Sequence, residues 1–169
     1  YFLLKVDPKK RMLFNPEESI QFHGNTGPFI QYTHARISAI VRKAKQENID
    51  FDQFNIDTIK INHETVRSLI FQINDFPRLI GEAAESYSPS IIAQFAYDLA
   101  KEYNRFYTEE PILKESDENY KMFKVAFSKQ VAETIHKAMG LLGIVVPDRM
   151  LFFTVIVGRY ERMGSCCKT

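Results

Sequence analysis

Two stretches in the second half of this 169-residue chain place their apolar side chains at helical spacing with hardly an interruption. After Ser88-Pro89, the residues Ile91, Ile92, Phe95, Leu99, Tyr103 and Phe106 recur at three- and four-residue steps. After Asp117-Glu118, Phe123, Phe127, Val131, Ile135, Ala138 and Leu142 do the same, and Gly143 follows. A helix with one apolar stripe has to bury it against another element, so two such helices commit the chain to helix-on-helix packing. The punctuation agrees. Proline suits a first helical turn, acidic residues suit a helix start, and glycine suits a helix end.

The first half reads the same way with weaker signals. Thr26-Gly27-Pro28 opens a helix whose mainly apolar face carries Phe29, Tyr32, Thr33, Arg36, Ile37, Ile40 and Val41, with Arg42, Lys43 and Lys45 in its last turns. A polar connector runs from Gln46 to Asp57. Asn62 is expected to cap a helix through Ile73 that turns Val66, Leu69, Ile70 and Ile73 inward. Asp75-Phe76-Pro77 is expected to break it and start another helix bearing Leu79, Ile80 and Ala83, because proline removes a helical hydrogen bond. Pro111 ends the fourth helix, and residues 108–118 form a polar loop. Residues 1–25 are irregular, with a basic turn at Lys9-Lys10-Arg11, strand-like character at Met12-Leu13-Phe14, and a break at Asn15-Pro16.

The expectation is an all-α bundle of about five helices with a short non-helical N-terminal segment. Residues 1–25 are read as the trailing edge of a preceding domain, 26–150 as the helical domain, and 151–169 as an atypical tail opening on Leu151-Phe152-Phe153. The first residue is not Met, so a piece of something longer is expected.

The search for chemistry returns little. There is no phosphate loop, no His-Glu-x-x-His and no Cys-x-x-Cys. His23, His34, His63 and His136 are scattered and read as surface or packing residues, and Glu17-Glu18, Glu109-Glu110 and Asp117-Glu118 read as solvated turns or helix starts. The only cysteines, Cys166 and Cys167, are adjacent, which gives neither a disulfide framework nor metal spacing. A cytoplasmic location is expected from that usage, and no apolar run approaches the roughly 18 residues of a membrane span. The net charge of +1 does not announce a nucleic-acid binder, so any basic face has to be built by gathering cations locally. Gly24-Asn25-Thr26-Gly27 could cradle a phosphate, but glycine- and Asn-containing turns of this kind are common and it reads as a turn capped by Thr26. In Lys101-Glu102-Tyr103-Asn104-Arg105-Phe106-Tyr107, Tyr103 and Phe106 lie on the apolar stripe. Asn104, Arg105 and Tyr107 fall off it, open either to a ligand or to plain solvent.

Residues 22–36, Phe-His-Gly-Asn-Thr-Gly-Pro-Phe-Ile-Gln-Tyr-Thr-His-Ala-Arg, resemble the junction motif of arginyl-tRNA synthetases. In that family Gly-Asn-Thr-Gly-Pro and Gln-Tyr-x-His-Ala-Arg join the catalytic and anticodon-binding domains. Leu3-Leu4-Lys5-Val6-Asp7, Met12-Leu13-Phe14-Asn15, Asn104-Arg105-Phe106-Tyr107 and Leu141 through Met150 also look like family stretches, so the resemblance covers about residues 1–150.

The resemblance implies a helical domain named for an Asp-Ala-Leu-Arg signature, matched loosely here by Tyr97-Asp98-Leu99-Ala100. It implies an arginine tRNA and an N-terminal catalytic domain as partners, ATP with magnesium in the parent enzyme, and a monomer without membrane contact. No cofactor or metal is expected in these residues. The family's two catalytic signatures do not occur here and are expected N-terminal to Tyr1, so no catalytic residue is assigned. The carry-over places RNA contacts at Asn104, Phe106, Tyr107, Arg149 and Met150. Charge and position add Lys101 and Arg105 as phosphate contacts. The junction motif falls on Gly24, Asn25, Thr26, Gly27, Pro28, Gln31, Tyr32 and Arg36. Two alternatives stand beside this reading: a synthetase-derived scaffold that binds protein rather than RNA, and another class I synthetase such as the cysteine enzyme.

Overall fold

A computed structural model describes residues 1–61 and 63–150. In chain order the elements are a one-turn helix α1 (Pro16–Ser19), α2 (Gly27–Gln46), a 3-10 turn (Ile56–Thr58), α3 (Glu64–Glu85), α4 (Pro89–Glu109) and α5 (Glu118–Leu141). No strand occurs among the described residues, and no helix there is long and apolar enough to cross a membrane. Helix α4 packs against α2, α3 and α5, while α2 also lies along α5. The all-α expectation holds. The tail expected over 151–169 lies outside the described residues.

The two long stripes form the core. Ile92, Phe95, Leu99, Tyr103 and Phe106 on α4 meet Phe123, Phe127, Val131, Ile135 and Ala138 on α5, all buried. Phe106 sits edge-on to Phe127, which in turn stacks on Phe123 at 5.6 Å. The punctuation of α5 acts as its residue types require. The Asp117 carboxylate accepts from the Asn119 and Tyr120 N–H groups. At the other end Gly143 takes φ +71°, letting the Ile144 and Gly143 N–H groups close on the carbonyls of Met139 and Gly140 at 2.9 Å each.

Four local expectations need correction. Pro77 does not divide a helix: α3 is continuous from Glu64 to Glu85 with Pro77 inside it. An interior proline costs about 3 kcal/mol. Burial of Val66, Leu69 and Phe76 offsets it, with Phe76 stacked on Phe95 at 4.6 Å, and Leu79, Ile80 and Ala83 continue the same contact face beyond the proline. The capping position is His63, which makes no side-chain cap bond; Asn62 lies outside the described residues. On α2 the buried face is centred on Ile30, Thr33, His34, Ile37, Ile40 and Ala44, whereas Phe29, Tyr32, Arg36 and Val41 stay partly exposed. Two partners, α4 and α5, select that arc, and periodicity alone does not say which side they occupy. Finally, Met12-Leu13-Phe14 has no strand to pair with. The break at Asn15-Pro16 is instead the start of α1, with the Asn15 side chain accepting from the Glu17 and Glu18 N–H groups.

Glu110 is likewise no solvated turn. Its carboxylate is buried and takes a 2.6 Å hydrogen bond from Lys124, itself wholly buried on α5, and a 2.8 Å contact from His63. Lys124 also donates to Glu115 at 2.8 Å. This cluster fastens the loop after α4 to α5, and so fixes where α4 ends.

Candidate nucleic-acid interface

The C-terminal segment is laid along α2 by four polar contacts, at successive turns of one helix face. Gln31 donates to the Val145 carbonyl at 2.8 Å, and His34 Nδ1 lies 3.0 Å from the Pro147 carbonyl. A carbonyl only accepts, so that Nδ1 carries the proton. Ser38 donates to the Asp148 carboxylate at 3.2 Å and Arg42 to the Asp148 carbonyl at 2.9 Å. Arg149 and Met150 are thereby brought beside the end of α4.

There they meet Tyr107. Phe106 turns into the core and is fully buried; Tyr107, one residue on, is 40% exposed. Between Tyr107 and α2 lies the Arg36 guanidinium, 5.0 Å from the Tyr107 ring centre and 4.8 Å from that of Tyr32. Such cation–ring contacts hold a planar group flat against an aromatic face. Asn104 orients the cation: its Oδ1 accepts from Arg36, while its Nδ2 donates to Thr33 Oγ1 at 2.7 Å and to the Ala100 carbonyl at 2.9 Å. The result is an open groove of about 720 Å³ lined by Tyr32, Tyr107, Met150 and four cations, Arg36, Arg42, Lys43 and Arg149, with no carboxylate among the described residues of its wall.

The sequence-derived residues therefore divide. Tyr107, Arg149 and Met150 converge on this groove, and Asn104 supports it from beneath. Phe106 is out of a ligand's reach and serves the core. Arg105 is exposed, but Glu109 holds its guanidinium at 2.9 Å, with Glu102 at 3.8 Å. Hydrogen bonding to Glu109 raises its pKa above the ordinary arginine value. Lys101 lines a different groove, where Asp7, Asp75, Asp98 and Glu102 balance Lys5, Lys10 and Lys101.

The junction motif also divides. Gly24 to Pro28 clamp the N-terminal segment: Asn25 accepts from the Tyr1 hydroxyl at 2.5 Å and donates to Gln94 at 3.2 Å. Thr26 accepts from the Phe29 N–H at 3.3 Å and its hydroxyl donates to the Gln21 carbonyl at 2.6 Å, the capped-turn role. A Cβ on Gly27 would come within 3.1 Å of Tyr1 Cβ, so glycine there permits the close approach. Tyr32 and Arg36, by contrast, belong to the ring-and-cation groove, and the sequence reading missed that role. A signal was present: Arg36 stood alone as a charge on an otherwise mainly apolar face, four residues after an aromatic.

Replacing Asn104 with Ala is expected to cost about 1–2 kcal/mol in stability, since it leaves Arg36 and the buried Thr33 hydroxyl each short of a partner. Urea denaturation of the variant measures it. A change within error would remove Asn104 as the group that holds this site together.

Comparison with known proteins agrees with this architecture. Residues 30–150 match the DALR anticodon binding domain model. The chain is 53% identical over 150 residues to an arginine–tRNA ligase of Flavobacterium psychrophilum and 51% identical to one of Bacteroides thetaiotaomicron. Each alignment covers 89% of this chain, and 24% and 25% respectively of those proteins, so the chain spans about a quarter of their length. Among solved structures, Thermus thermophilus arginyl-tRNA synthetase superposes with a TM-score of 0.76 at 29% identity, over 88% of this chain and 25% of that one. The Plasmodium falciparum enzyme shares the fold at the same TM-score and 23% identity, over 88% of this chain and 26% of its own. With the family model spanning most of the chain and the helical architecture matching, the chain belongs to the DALR anticodon-binding domain family.

Proposed function

We propose that this domain holds the anticodon loop of an arginine tRNA, as part of an arginine–tRNA ligase. The observation that carries the reading is the groove in which Arg36 lies between Tyr32 and Tyr107, with cations and no carboxylate among the described residues of its wall. Unpaired loop bases are bound by stacking on aromatic and guanidinium planes and by hydrogen bonds to their edges. Tyr107 offers the exposed ring, Arg36 backs that ring from behind, and Arg149 offers a cation for the adjoining phosphate.

Arginine activation and transfer belong to the remainder of such an enzyme. A surface for that remainder is at hand in the N-terminal segment, where Leu3, Leu13, Phe14, Ile20 and Phe22 are exposed. The near-neutral total reflects an uneven distribution: charges balance beside the N-terminal segment, whereas cations predominate in the described wall beside Tyr107, where Lys43 alone has an ion-pair partner, Glu47 at 3.8 Å.

Titration of the chain with arginine tRNA and a non-cognate tRNA at two salt concentrations tests the reading. Selective binding that weakens as salt rises is expected. Equal affinity for both RNAs, or none for either, would overturn it.

A further inference from the structure

A second groove, of about 630 Å³, runs between α2 and α5 on the far side of the C-terminal segment. Five cations line it: Arg42 and Lys45 from α2, Lys129 and Lys137 from α5, and Arg149. Among the described residues two carboxylates do so, Glu133 and Asp148, the latter also accepting from Ser38, so cations outnumber them five to two. Lys129 has a distant partner in Asp52 at 3.9 Å, whereas no ion pair involves Lys45 or Lys137 among the described residues. In a chain with a net charge of only +1, such an excess is a local construction.

Its position gives the excess a meaning. Arg42 and Arg149 line this groove and the Tyr107 groove alike, so the two are contiguous around the C-terminal segment. A base stacked at Tyr107 would carry a phosphate on either side, and the cations of the α2–α5 groove are the charged surface that adjoins the pocket through Arg42 and Arg149.

We propose that the α2–α5 groove is a backbone track. It binds the sugar-phosphate chain flanking the stacked base, without reading sequence, and so supplies affinity where the ring pocket supplies selectivity. This rests on the anticodon-loop reading above. Lys45 and Lys137 are the groove's exposed phosphate ligands, and removing them leaves the core and the Tyr107 pocket untouched.

The test is the salt dependence of binding for the wild-type chain, a Lys45→Ala/Lys137→Ala double variant and Tyr107→Ala, each titrated with an arginine tRNA transcript. Each lost phosphate contact flattens the plot of log affinity against log salt by about one unit. The double variant is expected to lose affinity roughly tenfold at low salt, flatten the plot by about two units, and keep its preference for arginine tRNA. Tyr107→Ala is expected to shift the line without changing its slope. An unchanged slope in the double variant, with Tyr107→Ala still weakened, would overturn the track and leave the anticodon reading standing. A flattened slope with Tyr107→Ala unaffected would keep Lys45 and Lys137 as phosphate ligands but overturn the base stacking, and with it a track that flanks a stacked base. No binding by the wild-type chain would overturn both.

Discussion

Replacing Lys124 with Met is expected to lower the free energy of unfolding by about 3–5 kcal/mol, the range for removing one partner of a buried ion pair. The loss comes from what stays behind. Glu110 is buried, and its other contact is His63, on the exposed side of the cluster; Glu115 is mostly enclosed as well. Burial opposes the charge on Lys124, but the hydrogen bonds it donates to Glu110 and Glu115 prevail and raise its pKa above the ordinary lysine value. The Lys124 hydrogen bond holds the Glu115 carboxyl below its ordinary value. The pH dependence follows from those two signs. Glu115 contributes stability above the ordinary carboxylate value of about 4.3, and that contribution disappears as pH falls through its lower folded value. Lys124 contributes fully below about 10.4, and that contribution disappears as pH rises through its raised folded value. Urea midpoints from pH 3 to 11 are therefore expected to fall at both ends in the wild type, and less steeply in Lys124→Met. A deficit below about 1 kcal/mol at pH 7 would mean that the cluster is dispensable to the fold.

Replacing Tyr107 with Ala is expected to weaken binding of the anticodon loop by about 1–3 kcal/mol, or roughly 5- to 150-fold in Kd. The ring is exposed on one side and backed by Arg36 on the other, so truncation removes the stacking surface and releases the guanidinium behind it. Tyr107→Phe keeps the ring and is expected to bind within about threefold of wild type. Arg105→Ala serves as the contrast. That cation is spent on Glu109 along the same helix, and its loss is expected to change affinity little. Full affinity in a folded Tyr107→Ala protein would remove the ring pocket from recognition. Equal losses in Tyr107→Ala and Arg105→Ala would point to charge along α4 in place of stacking.

The boundaries of α4 and α5 and their inward faces were legible because each carries a local cause. Pro89, Asp117 and Gly143 act on their own few residues of backbone, and the stripes repeat at the helical period over many turns. The helix that the sequence divided at Pro77 was misread for the opposite reason. Proline's effect is also local, but what outweighs it is Phe76 stacking on Phe95, a residue of the next helix. Glu110 was misread in the same way, because the ammonium that buries it lies fourteen positions along the chain on another element.

The sequence by itself determined the class of fold, through two uninterrupted stripes that have to be buried together, and the family, through the block from Phe22 to Arg36. It also marked Asn104, Tyr107, Arg149 and Met150 as residues to watch. Tertiary structure alone decided that these belong to one place, that Arg36 and Tyr32 complete it, and that Phe106, Lys101 and Arg105 do not. The physical reason is separation along the chain. Arg36, Asn104 and Arg149 stand on α2, α4 and the C-terminal segment, and only the packing of α4 on α2, with that segment held along α2, brings their side chains together.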